Sequence, residues 1–343
     1  MHSNANNGEL NPNMTPTSIR TAPPSHAQTY LRALGRFSVV PPFVIVAIAC
    51  IVLAPNFLSS SNVANMLING SITAIIAYGM TIVIALRGLD LSVGSLQGLS
   101  ACLTAVAYSV FGTGFGIAAG LAIGLAVGVL NGVLVAYLRV PSFVATLGML
   151  GILRGVALLV TNGQTIQGGS SFLNYVVNGR VVGVPIPFLL ALALLGVWLV
   201  VFYYTPFGRH VVAVGGSPEA ASDSGIRVRR TTVIAFALSG LSAGVGGVLL
   251  MGQLSNVTGD LGTGLELQVI AIAVLGGTSL AGGNGNLIGT LVASLLLAMI
   301  DSALNLLNVP SFYQYLAIGL LLIAALSLDS VRARVSRRLV QNS

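Results

Sequence analysis

Ten apolar stretches fill most of the sequence, at about 39–55, 64–86, 91–111, 114–138, 141–161, 185–204, 232–252, 261–281, 286–308 and 311–328, with almost no charge interrupting them. A run of about 20 such residues crosses the hydrocarbon core of a bilayer as a helix. A soluble surface needs roughly a quarter of its residues charged. Here 7% are charged and 55% are hydrophobic, so most of this surface must face lipid. The 42 glycines suit helices that approach closely within a membrane. The expected fold class is an all-α membrane protein of about ten transmembrane helices.

All 15 basic residues are arginine. Without lysine, neither a phosphate-cradling Walker A loop nor a Schiff base can be built from this chain. The net charge of +7 does not point to nucleic acid, because the arginines other than Arg154 lie in tails and between spans. Arg139 follows the fourth span, Arg209, Arg227, Arg229 and Arg230 follow the sixth, and Arg332, Arg334, Arg337 and Arg338 end the chain. With a cytoplasmic N-terminus, ten crossings place every one of these clusters inside, together with the C-terminus. Residues 162–184 then form the largest outer loop. Residues 1–38, rich in Asn, Pro, Ser and Thr, read as a flexible cytoplasmic tail and 331–343 as a basic one, flanking a transmembrane domain at 39–330. Cys50 and Cys102 fall inside apolar runs without metal-like spacing, and no cofactor is expected.

Two short matches recur at nearly one offset. Asp90-Leu91-Ser92-Val93-Gly94 resembles Asp260-Leu261-Gly262-Thr263-Gly264, 170 positions later (260 minus 90), and Val140-Pro141-Ser142-Phe143 reappears as Val309-Pro310-Ser311-Phe312, 169 positions later (309 minus 140). They align about 64–161 with about 232–328 across an odd number of spans, which predicts two repeats of inverted orientation. Such repeats characterise alternating-access transporters.

Charge inside a span is costly and marks function. Asp90, Arg154, Glu266 and Asp301 are therefore candidates for a polar translocation path, with a buried structural pair as the competing reading. Asp90 can pair with Arg87 or cap the next helix, and Asp260 can cap the span it precedes. The three histidines lie outside the spans, which argues against a proton relay. No paired-carboxylate, metal-binding or nucleophile-elbow pattern supports an enzyme.

The loop at 205–231 is the most specific segment. In Ser217-Pro218-Glu219-Ala220-Ala221, Ser217 is an N-cap, Pro218 opens a short helix and Glu219 sits in its first turn, while Gly225 can close it. A short capped helix between two spans is a handle for another protein.

At these residues the chain resembles the permease subunit of bacterial ABC monosaccharide importers of the ribose/xylose/arabinose/galactoside type. Glu219-Ala220-Ala221 with Gly225-Ile226 is similar to the loop through which such permeases dock on their ATPase. Gly88-Leu89-Asp90-Leu91-Ser92-Val93-Gly94, Pro141-Ser142-Phe143-Val144-Ala145-Thr146-Leu147-Gly148 with Arg154-Gly155, and Gly276-Gly277-Thr278-Ser279-Leu280-Ala281-Gly282-Gly283 match three further landmarks. The family pattern has Asn at Ser217 and Arg at Ser222, so the docking surface here lacks one positive charge.

The resemblance implies a multi-pass protein of the inner membrane with the fold of vitamin B12-type importer permeases. It further implies a separate ABC ATPase, a periplasmic sugar-binding protein and a second permease copy or paralogue as partners, in a bed of membrane lipid. Gly208, Pro218, Glu219, Ala220, Ala221 and Gly225 are then the ATPase-coupling surface, and the loops at 162–184 and 253–264 receive the binding protein. The alternatives are a branched-chain amino acid or nucleoside ABC permease and, from another class, a secondary transporter working alone.

Overall fold

The computed structural model describes residues 40–310 apart from Ser255, with scattered positions between 313 and 323. The two tails, 1–38 and 331–343, lie outside the described residues. Helices dominate in chain order: α1 (Val40–Leu53), α2 (Ser60–Ala85), α3 (Val93–Phe111), α4 (Thr113–Ala136), α5 (Ser142–Thr161), α6 (Ser171–Asn178), α7 (Ile186–Leu199), α8 (Pro206–Gly216), α9 (Pro218–Asp223), α10 (Val228–Leu254), α11 (Leu265–Leu275) and α12 (Leu287–Leu306). A π-helical turn at Val200–Tyr204 prolongs α7. Two sheets of two-residue strands, absent from the all-helical expectation, decorate the loops. β1 (Ile166–Gln167) pairs antiparallel with β4 (Asn256–Val257), and β2 (Arg180–Val181) with β3 (Val184–Pro185).

Among the described residues seven helices are long and apolar enough to cross a membrane: α2 to α5, α7 with its π turn, α10 and α12. The sequence predicts ten spans, and the difference has three sources. The run at 39–55 gives α1, of 14 residues. The run at 261–281 gives α11, whose 11 residues rise only about 16 Å, half of a hydrocarbon core. The tenth run, 311–328, lies for the most part outside the described residues.

α2 is the buried centre, its side chains almost all covered from Ser71 onward. It runs antiparallel to α10: Gln253 Nε2 donates to Asn69 Oδ1 over 2.6 Å near one end, and a side chain on Gly79 would meet Ser239 and Ser242 towards the other. α4 lies along α10 in close backbone contact. A Cβ on Gly124 would come within 2.6 Å of the Gly240 carbonyl, and Gly128 and Gly132 meet Ala237 and Val233 in the same way. In lipid, where apolar side chains gain nothing by leaving their surroundings, this close backbone contact is what holds two helices together. The opposite faces of α5 and α7 are covered with exposed apolar side chains such as Val144, Leu147, Ile152, Leu192 and Val197.

Candidate functional site: two backbone breaks and a capped loop

Two stretches of irregular backbone interrupt the helical packing: 86–92 between α2 and α3, and 258–264 between β4 and α11. Unpaired amides and carbonyls inside a bilayer must find partners within the protein. One helix supplies them for both breaks. From α5, the Ser142 hydroxyl accepts from the Leu89 amide (3.1 Å) and the Thr146 hydroxyl from the Leu91 amide (3.0 Å). Twelve residues along α5 from Ser142, Arg154 donates from one terminal nitrogen to the Gly259 carbonyl (2.9 Å) and the Leu261 carbonyl (2.8 Å). On the far side Gly94 and Gly98 of α3 make room, since a Cβ on either would strike the carbonyls of Gly262 and Leu261.

The four intramembrane candidates separate into two groups. Arg154 and Glu266 sit at the two ends of the 258–266 segment. Glu266 lies in the first turn of α11, where the helix dipole favours a carboxylate. Its Oε2 is buried, has no hydrogen-bond partner among the described residues, and rests where a Gly94 side chain would be. Asp301 of α12 accepts from Gln268 Nε2 at 3.3 Å, which ties α12 to α11 two residues past Glu266. Gln268 carries no sequence motif and was not anticipated.

Asp90 stands apart. It is completely buried, and its carboxylate accepts from the Ser92 amide (3.1 Å), the Ser92 hydroxyl (2.6 Å) and the Ser239 hydroxyl of α10 (3.0 Å). Asn131 of α4 donates to Ser92 Oγ at 2.9 Å and extends the network. The ion pair with Arg87 does not form: Arg87 is exposed and turned away at a φ of 71°. Asp90 instead closes a turn just before α3, its side chain accepting from the backbone amide two residues on. Asp260 does not cap α11, whose N-cap is Gly264 at a φ of 82°. Asp90→Ala is expected to orphan the Ser92 and Ser239 hydroxyls and to cost about 3 kcal/mol. A lower melting temperature of the detergent-purified variant checks this, and an unchanged one refutes it.

At the arginine-bearing end the 205–231 loop folds into two short helices, each opened by a proline, Pro206 and Pro218. Ser217 caps α9 by accepting from the Ala220 amide (3.2 Å) while its hydroxyl donates to Glu219 Oε2 (3.2 Å). Gly225, at a φ of 82°, ends it: its amide bonds Ser222 O and the Ile226 amide bonds Ala221 O, the Schellman pattern. Glu219 and Ala220 are exposed, whereas Ala221 is buried in one cluster with Val211 and Val214 of α8. Gly208 has no room for a side chain beside the Phe202 backbone. Gly215 is pressed against the Ala85 carbonyl at the end of α2, which itself accepts from the Gly283 amide (2.8 Å). The loop is thus in backbone contact both with α2 and with the 276–286 segment that follows α11.

A helical membrane protein with broken backbone in its interior and an exposed, capped helix pair at one end has the parts of a permease component of a transport system. The chain belongs to the family of branched-chain amino acid transport system permease components, whose model matches residues 62–326. It is 40% identical over 302 residues to the ribose import permease protein RbsC of Escherichia coli K12, covering 85% of this chain and 92% of that protein. To RbsC of Bacillus subtilis 168 it is 39% identical over 308 residues, covering 89% and 94%. The autoinducer 2 import system permease protein LsrC of Klebsiella pneumoniae is 39% identical over 296 residues, covering 85% and 84%. No solved structure matches.

Proposed function

We propose that the chain is the transmembrane permease subunit of an ABC importer that passes a monosaccharide, a ribose-like pentose or a hexose, into the cytoplasm. The observation that carries the reading is the capped α9 helix, exposed at Glu219, together with α8 just before it, which is pressed through Gly215 against α2 and the 276–286 segment. The ribose import permeases among its relatives favour a sugar, while the family description favours a branched-chain amino acid. Uptake of labelled ribose and labelled leucine, by vesicles holding this chain with its ATPase and binding protein, separates the two. Uptake by the chain alone, driven by an ion gradient, would refute both.

In this reading the spans number ten, in two inverted repeats of the vitamin B12-type permease fold, with both termini cytoplasmic. The antiparallel course of α2 and α10, and the break that follows each of them, support it. A separate ATPase grips Pro218, Glu219, Ala220, Ala221 and Gly225, with Gly208 seating α8 beneath them. Its closure pushes α8 on α2 and on the segment after α11. On the outer side, the β1–β4 pairing joins the 162–184 loop to the 253–264 loop, so a docked sugar-binding protein pulls on the segment that leads to Glu266. Arg154, Glu266 and Asp301 border the path, and Asp90 fixes the opposite break. A second permease copy or paralogue completes the pore.

Glu219→Lys reverses the charge of the exposed helix, and Gly225→Pro forbids the φ of 82° and removes an amide donor. Both variants are expected to reach the membrane, fail to retain the ATPase and lose uptake. Normal uptake in both would remove α9 from the coupling route.

A further inference from the structure

The glycine seam between α4 and α10 stops where the arginines begin. Gly132 is the last position at which the two backbones touch, a Cβ there coming within 2.7 Å of Val233 Cα. One residue on, side chains return and the helices part. Val133 and Tyr137 of α4 with Arg230, Val233 and Ile234 of α10 line an open groove of about 460 Å³.

The groove has two chemistries. Its floor of Val133, Val233 and Ile234 is apolar and belongs to the last turn of α4 and the second turn of α10. Its rim is cationic: Arg230 lines it, and the Arg229 guanidinium lies 5.5 Å from the centre of the Tyr137 ring, within cation–π range. Arg139 and Arg227 are exposed at the same end, and the first turn of α10 holds no acidic residue to neutralise them. A soluble anion would leave the floor unused, and a wholly apolar occupant would leave the arginines unpaired. Basic pockets between spanning helices match the headgroups of anionic lipids, and each arginine near the surface adds to the attraction.

We propose that this groove binds an anionic phospholipid, with its phosphate on Arg229 and Arg230 and an acyl chain along Val133, Val233 and Ile234. The site is independent of what the path carries. A zwitterionic lipid fits it less well, because its own cation faces the arginines.

The test uses the full chain in nanodiscs of mixed phosphatidylglycerol and phosphatidylcholine, with bound lipid read by native mass spectrometry. Wild type is expected to retain phosphatidylglycerol over phosphatidylcholine. Arg229→Gln with Arg230→Gln should weaken that retention about thirtyfold, the loss of two surface cations. Ile234→Trp fills the groove with the arginines intact and should also lose the lipid; Val133→Trp repeats the test from α4 should the first variant misfold. Equal retention of the two lipids, or retention unchanged in the variants, overturns the proposal. So does full displacement by glycerol phosphate, which identifies a bare anion site. Loss of the ATPase or of a second copy from Ile234→Trp, with lipid still held, assigns the groove to a protein and overturns it as well.

Discussion

Arg154→Ala is expected to bring uptake to background even where the chain still reaches the membrane. The guanidinium is a shared donor to the carbonyls of buried Gly259 and of Leu261. Hydrogen bonds to a charged group are worth about 1.5–3 kcal/mol each, so losing both costs roughly 4 kcal/mol. The loss falls on the segment that holds Glu266. A melting temperature in detergent and an uptake assay together check it. Arg154→Lys keeps the charge but not the planar fork, and is expected to fall between wild type and Ala. Wild-type uptake in Arg154→Ala would show that the 258–264 segment holds its course without the clamp.

Gly215→Val is the second large effect. Its side chain would enter the contact between α8 and the end of α2, where the Cβ alone comes within 2.6 Å of the Gly283 amide and closer still to the Ala85 carbonyl. Both are backbone atoms and cannot rotate aside. The exposed face of α9 is untouched, so the ATPase is expected to co-purify while uptake is lost. Gly225→Pro should lose both, and the contrast separates transmission from docking. Normal uptake in Gly215→Val would mean that force leaves the loop by another route.

Local chemistry was the legible part of this molecule. The α9 helix could be placed from Ser217, Pro218 and Gly225 because caps act within a few residues. Most spans followed from apolar runs alone. The short α11 did not, because the run at 261–281 is continuous in composition. What shortens it is backbone: Gly262, Gly264 and Gly277 adopt positive φ, and 259–264 runs in turns packed against neighbours on α3 and α5. Arg154 was legible as a charge within a span, yet its partners are carbonyls, which leave no mark in a sequence. Arg87 suggested itself as the partner of Asp90 by proximity, whereas a contact that matters comes from Ser239, 149 residues away. Gln268 was missed for the same reason, since only the fold brings it to Asp301.

The placement of Ser142, Thr146 and Arg154 on one helix has a mechanical consequence. They fall within an arc of about 120° on α5, and a helix twists as one shaft. A turn of that shaft would withdraw hydroxyls from one break and the guanidinium from the other in a single stroke. Any rotation of α5 would therefore reach both interruptions together, much as one camshaft moves two valves.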